Sequence, residues 1–297
     1  ETTLPPGVRR QTRHRLAWVR IFVGGLGLWL AAVVVTFLTG NSNLVPTVIL
    51  LGSFLVPVTF VAYAFEHRAS DRLTEHTIFV AFVYGGVLGV LGASLLEVPV
   101  AGQGSLPGYL GVGLIEEGCK LAALWLVARR LGSYEVRDGV ALGAAVGFGF
   151  AAFETAGYAF NALFTIRGLS LGGLIETEVL RGVLAPVGHG LWTGILGGVL
   201  FYGARGGRLR LSGALVGWYL VVSALHAFWD ASGGIAALLV LVLTADSVQA
   251  QLLSLGRVPA PTSEQMHLFT VLTWSFLVLD AAVGLTLLWV VVRRRRA

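Results

Sequence analysis

The chain has 297 residues, 56% of them hydrophobic and 12% charged, about half the charged fraction of roughly 25% that covers a soluble domain. A water-soluble enzyme is excluded, and at about 20 residues per spanning helix the length accommodates eight or nine spans with short loops and no sizeable soluble domain. The net charge of +5 reads as membrane orientation rather than nucleic-acid binding, and the one cysteine, Cys119, excludes an internal disulfide framework and a cysteine-based zinc site.

In chain order, apolar runs predict spans at about 17–38, 44–65, 77–97, 106–128, 139–162, 179–202 and 211–231, a shorter run at 234–245, and a last span at 268–292. A basic arm with Arg9, Arg10, Arg13 and Arg15 precedes the first span, and Arg293, Arg294, Arg295 and Arg296 nearly end the chain, so both ends are expected in the cytoplasm. The loops alternate accordingly. Loops 66–76 (Arg68, Arg72), 129–138 (Arg129, Arg130, Arg137) and 203–210 (Arg205, Arg208, Arg210) read as inner; 39–43 and 98–105 carry no arginine and 163–178 carries Arg167 alone. A full span at 234–245 would put the terminal arginines outside, and its dozen residues reach only ~18 Å of a ~30 Å core.

The expectation is an all-α membrane bundle of eight spans forming one domain over 1–297, with 233–255 lying on or re-entering the outer face. Residues 106–231 would form its core, and 17–97 and 268–292 accessory spans. The first span is too long for a signal-peptide h-region and lacks an A-x-A site, so it reads as retained. Its Arg20 is near enough to the inner interface to snorkel. The sequence starts at Glu1 and its one methionine is Met266, so an initiator, with or without a leader, is expected upstream. One lysine among 21 basic residues, with 40 glycines, suggests a GC-rich bacterial genome and hence a bacterial cytoplasmic membrane.

Ionisable residues inside the spans fall in four consecutive ones. The fourth has Glu116, Glu117 and Lys120 in GLIEEGCKLAAL, and the fifth Glu154 and Tyr158 in AAFETAGYAF. The sixth has Arg181 and His189, and the seventh His226 and Asp230 in SALHAFWDAS. Helical rise puts Glu116 and His189 ~15 Å from the outer ends of their spans, and Glu154 and His226 ~22 Å from the inner ends. One cavity opening outward would hold all four. Glu116–Lys120, Glu154–Tyr158 and His226–Asp230 are i,i+4 pairs and Glu117–Lys120 is i,i+3. Each charge at the bilayer centre costs at least ~2.5 kcal/mol on insertion scales, so a cluster of them implies function.

Such a group fits hydrolysis by an activated water. In one version His189 and His226 with Glu117 or Glu154 hold Zn²⁺ while Glu116 accepts the water's proton. In the other, without metal, a glutamate activates the water and the His226–Asp230 pair stabilises the oxyanion. HExxH, GxGD and a GxSG followed by a histidine span are all absent. Tyr158 reads as a hydrogen-bond partner of Glu154. Arg181 suits an interface anchor as well as a partner for carboxylates. Glu66, His67, Asp71, Glu75 and His76 read as a solvated inner hinge, and Asp280 is isolated in the last span.

EEGCK at 116–120 resembles the E-E-x-x-K signature of the PrsW family of bacterial intramembrane proteases, and FETAGY at 153–158 resembles its F-E-x-x-x-Y. The Arg181–His189 stretch and HAFWD at 226–230 resemble its remaining motifs, so the likeness covers about 116–230. It implies cleavage of single-pass membrane substrates such as anti-sigma factors. It also implies central roles for Glu116 and Glu117, with Glu154, His189 and His226 as catalytic or metal-binding partners. A more distant likeness joins it to the CAAX-processing glutamate proteases (ABI group), which carry a histidine where this chain has Tyr158. The alternative from the residues alone is a proton-coupled transporter or ion pathway, although no internal repeat of the kind transporters use is visible.

Overall fold

The computed structural model describes residues 16–66, 73–100, 104–166 and 168–293. Arg9, Arg10, Arg13, Arg15, His67, Arg68, Asp71, Arg72, Arg167 and Arg294 to Arg296 lie outside these residues. The chain is an all-α bundle: α1 (Ala17–Thr39), α2 (Val45–Glu66), α3 (Glu75–Val83), α4 (Val90–Leu96), α5 (Leu106–Ala128), α6 (Val136–Ala162), α7 (Leu171–Leu184), α8 (His189–Gly203), α9 (Gly213–Thr244), α10 (Ser247–Ser254) and α11 (Ser263–Arg293). A single wide π turn, Tyr84–Gly89, joins α3 to α4. Among the described residues, seven stretches are long and apolar enough to cross a membrane, counting α3–α4 as one and α7–α8 as one. The remaining long helix, α5, has 23 residues and carries Glu116, Glu117 and Lys120 in its middle.

Helix starts follow the side chains available. Thr74, Ser105, Ser170, Ser212 and Asp246 each accept a backbone N–H of the first turn they precede, which satisfies one of the amide donors a helix start leaves unpaired. The Glu66 carboxylate at the end of α2 accepts from Leu16 and Trp18 backbone N–H, so this member of the expected hinge caps α1 instead of being solvated.

At the centre stands α6, whose apolar stretch is 72% buried, against 11% for α1 on the periphery. Its main partner is α8, and α2, α3, α7 and the π turn surround the rest; α5 packs on α9, and α11 on α9 and α8. Without a hydrophobic driving force between helices in lipid, close backbone approach and van der Waals contact hold such a bundle. Gly139, Gly143 and Gly147 of α6 each face an α8 backbone carbonyl so closely that a Cβ would overlap it, the carbonyls being those of Gly197, Thr193 and His189. This seam presses the first residue of α8 against the middle of α6.

Three expectations are corrected. The shorter run at 234–245 is no separate element: α9 continues to Thr244 through Gly233 and Gly234. A lipid-facing backbone keeps its hydrogen bonds within the helix, which outweighs the weak helix preference of two glycines that no Pro accompanies. Within 233–255, therefore, only Ser247–Ser254 forms a separate helix. The loop expected at 163–178 is a two-residue-per-strand hairpin, Phe164–Thr165 with Gly168–Leu169, followed by α7 from Leu171. Finally, the sixth span is broken. Pro186 has no N–H to donate and Gly188 adopts φ −104°, ψ −123°, so α7 ends at Leu184 and α8 restarts at His189.

Candidate active site

Four elements converge where α8 begins. From α5, Glu116, Glu117 and Lys120 are buried. Lys120 Nζ donates to Glu117 Oε1 at 2.7 Å and to His189 Nδ1 at 2.8 Å, and lies 3.1 Å from Glu116 Oε2. The ring of Phe150, from α6, lies under the ammonium at 4.2 Å. From α9, His226 Nδ1 meets Glu117 Oε1 at 3.0 Å, while its Nε2 lies 3.6 Å from Glu116 Oε2 and 3.5 Å from Asp230 Oδ2. With Lys120 donating to Nδ1, the other ring nitrogen of His189 is the donor, and it meets Glu154 Oε2 of α6 at 2.9 Å.

Glu154 also receives the Arg181 guanidinium of α7, whose Nε donates to Thr155 Oγ1 at 2.9 Å. Tyr158 presents its ring face to that guanidinium at 4.3 Å, in place of the hydroxyl contact with Glu154 expected from spacing. Exposure runs one way: Glu117, Lys120 and His226 are closed off, while the side chains of Glu154, Arg181 and Asp230 are 19%, 27% and 31% accessible. The cluster therefore opens past Glu154, Arg181 and Asp230.

Two neighbours were not singled out from the sequence as parts of this site. Trp192, fully buried on α8, stacks on the His226 ring at 4.7 Å and meets His189 edge-on at 5.4 Å. Its position one turn after His189 is the only hint that sequence offers. Glu97, which caps the end of α4, has a buried Oε1 with no hydrogen-bond partner. Burial, reinforced by the Glu154 carboxylate and opposed by His226 and Lys120, raises its pKa above the ordinary carboxylate value. As the last residue of a predicted span it carried no spacing signal.

The donor set suits a metal ion. Glu116, His189 and His226 each offer one ligand atom, all within 4.8 Å of one another, the His₂Glu composition used by zinc hydrolases. Glu116 Oε2 is buried with no aligned hydrogen-bond partner, an acceptor whose remaining lone pair has nothing else to satisfy it. Glu117 on the far nitrogen of His226 is the carboxylate–histidine arrangement that orients metal-bound imidazoles. Geometry thus groups Glu116 with the histidines, where the sequence had offered Glu117 or Glu154 as the carboxylate ligand. At His189 either nitrogen would exchange a present hydrogen bond, to Lys120 or Glu154, for the ion.

No curated protein matches the chain, and no solved structure does. Residues 74–255 match the family described as PrsW family intramembrane metalloprotease. That match spans α3 to α10 and so takes in every residue of the cluster just described. More than half of the chain lies within it, and the chain belongs to the PrsW family of intramembrane metalloproteases.

Proposed function

We propose that this multi-pass membrane protease cleaves single-pass membrane proteins, anti-sigma factors among them, in the bacterial cytoplasmic membrane. We read it as one membrane domain in which α5 joins the seven apolar stretches as an eighth span, leaving both termini in the cytoplasm. Residues 106–231 form the catalytic core and 17–97 and 268–292 flank it. The observation that carries the mechanism is the set Glu116, His189 and His226, with ligand atoms within 4.8 Å and a Glu116 Oε2 that makes no aligned hydrogen bond.

These three residues would hold a divalent metal, with zinc matching the ligand types. The ion would supply Lewis-acid polarisation of the scissile carbonyl and of a water. The protein's own groups do the rest. Glu117 fixes the His226 ring through Nδ1, and Lys120 offsets the negative charge of Glu116 and Glu117. Glu154, partly exposed beside the set, takes a proton from the attacking water as its oxygen bonds to the carbonyl carbon. It gives that proton to the amide nitrogen as the C–N bond breaks. Arg181 holds Glu154 in place, with Tyr158 covering the guanidinium. Asp230 lies at the mouth, its Oδ2 3.5 Å from His226 Nε2, and adds negative charge beside the set.

The test is cleavage of a co-expressed single-pass reporter by the wild-type protein and by Glu117→Gln and His226→Ala. Both variants are expected to lose cleavage while remaining folded, and retained cleavage in both overturns the assignment. Elemental analysis of detergent-purified protein addresses the ion separately. Near one equivalent of zinc supports the ligand set, and less than about 0.2 equivalents overturns it.

A further inference from the structure

One carboxylate lies beyond the matched region and outside the cluster. Asp280, midway along α11, is 1% exposed and neither of its oxygens has an aligned hydrogen-bond partner. It is the one acidic residue of α11 away from the helix ends. A carboxyl at that depth carries a cost of ~2.5–3.5 kcal/mol on insertion scales unless something compensates it.

The compensating group is on α8. The Trp192 indole N–H is likewise buried without an aligned acceptor. It faces α11, because a Cβ built on Gly284 would stand 4.0 Å from Trp192 Nε1, and Asp280 lies one helical turn before Gly284 on the same face. The Trp192 N–H is the donor that faces the Asp280 carboxyl. Trp192 in turn bridges both candidate metal-binding histidines, stacked on one and edge-on to the other. Trp229 abuts its far side at 5.7 Å.

The geometry points to Asp280 as a positioning residue that fixes the Trp192 indole by accepting its N–H, and through that ring sets the plane of His226. The last helix then governs the active site without touching a reacting atom. This rests on the reading of His226 as an active-site group, and the test separates the two.

Histidine ring signals are followed by NMR in detergent-solubilised protein labelled at histidine ¹³Cε1, with the His226 signal assigned from its loss in His226→Ala. A ring stacked on an indole is shifted by the indole's ring current, so the signal reports the stack directly and needs no metal. Asp280→Leu removes the acceptor, Asp280→Asn keeps an acceptor without the charge, and Trp192→Phe removes the donor. We expect Asp280→Leu to move the His226 signal and to lower reporter cleavage about tenfold, at the low end for an outer-shell partner. Asp280→Asn should restore both towards wild type. Asp280→Leu combined with Trp192→Phe should be no worse than the poorer single variant, because the two changes break one contact. An unmoved His226 signal in Asp280→Leu, losses that multiply in the double variant, or a lower melting temperature with unchanged cleavage would each overturn the proposal. Failure of the metal reading would appear as zinc-free wild-type protein, with the His226 shifts still legible.

Discussion

Two buried carboxylate sites flank α7, and they are built on opposite plans. On the inner flank, Arg181 reaches into a crowd in which Glu116, Glu117, Glu154, Lys120, His189 and His226 each contact at least two other ionisable groups. One turn earlier on the outer flank, Glu178 is buried at 3% exposure. It accepts a 2.8 Å bond from the Trp29 indole of α1, and its carboxyl fits a space kept open by the absence of a side chain at Gly52. A crowded site lets protons and partners exchange at little cost, which suits chemistry. A carboxylate held by neutral, directional donors suits holding helices in register. The contrast teaches that burial of charge alone does not mark a reactive centre here; the multiplicity of partners does.

The largest expected effect breaks the crowded side. Glu117→Gln and His226→Ala should each reduce reporter cleavage by about 10²–10⁴-fold, the range for loss of a group engaged in proton transfer or its support, with melting temperature and elution profile retained. Near-normal turnover would make that side structural. Next comes the α6–α8 seam that delivers His189. Gly147→Ala sets a Cβ against the His189 carbonyl and should cost about 1–3 kcal/mol of stability together with zinc content. Gly157→Ala, where a Cβ meets open space, should leave both unchanged, and equal behaviour of the two would remove the seam from the argument.

The outer flank predicts a different signature. Glu178→Ala strands the Trp29 N–H and should cost about 1–3 kcal/mol, whereas Glu178→Gln keeps an acceptor, costs less and leaves cleavage per folded molecule unchanged. Loss of cleavage at full stability in Glu178→Gln would erase the contrast between the flanks. The smallest effect belongs to Glu97. Its folded-state pKa is raised above 4.5 by burial and by Glu154, so the folded chain holds this proton more tightly than the unfolded one. The stabilisation is fully present below that ordinary value and is lost as pH rises through the raised one. Glu97→Gln should therefore flatten the fall in melting temperature with rising pH above 4.5. An unaltered slope would place Glu97 in ordinary solvent.

Sequence reading reached the bundle and the cluster because charge inside apolar runs is rare and its spacing is visible. The convergence of Glu116, Glu154, His189 and His226 follows from depth alone once helices alternate in direction. What stayed hidden depends on partners distant in sequence. Glu178 fell in an expected loop, since a run with Glu176 and Glu178 beside Arg181 lacks the hydropathy of a span, and only Trp29 and Gly52 give it a place. The break at Pro186 and Gly188 was written in the sequence, yet long overall hydropathy masked it. The unbroken α9 was misread because the run at 234–245 was weighed as a span of its own, for which it is too short, and not as the continuation of the seventh. The ring of Trp192 gains meaning only when α9 and α11 close around it.

The charges of α5 also set what the rest of the chain must supply. This helix carries three charged side chains in its middle. Lys120 neutralises only one of its two glutamates from within the helix, and the second finds its counterpart in His226, more than a hundred residues downstream. The carboxylates of α5 are thus fully matched only by helices that lie later in the chain. The cluster is whole only when α5, α6, α8 and α9 are all in place, so no single stretch of the chain carries it by itself.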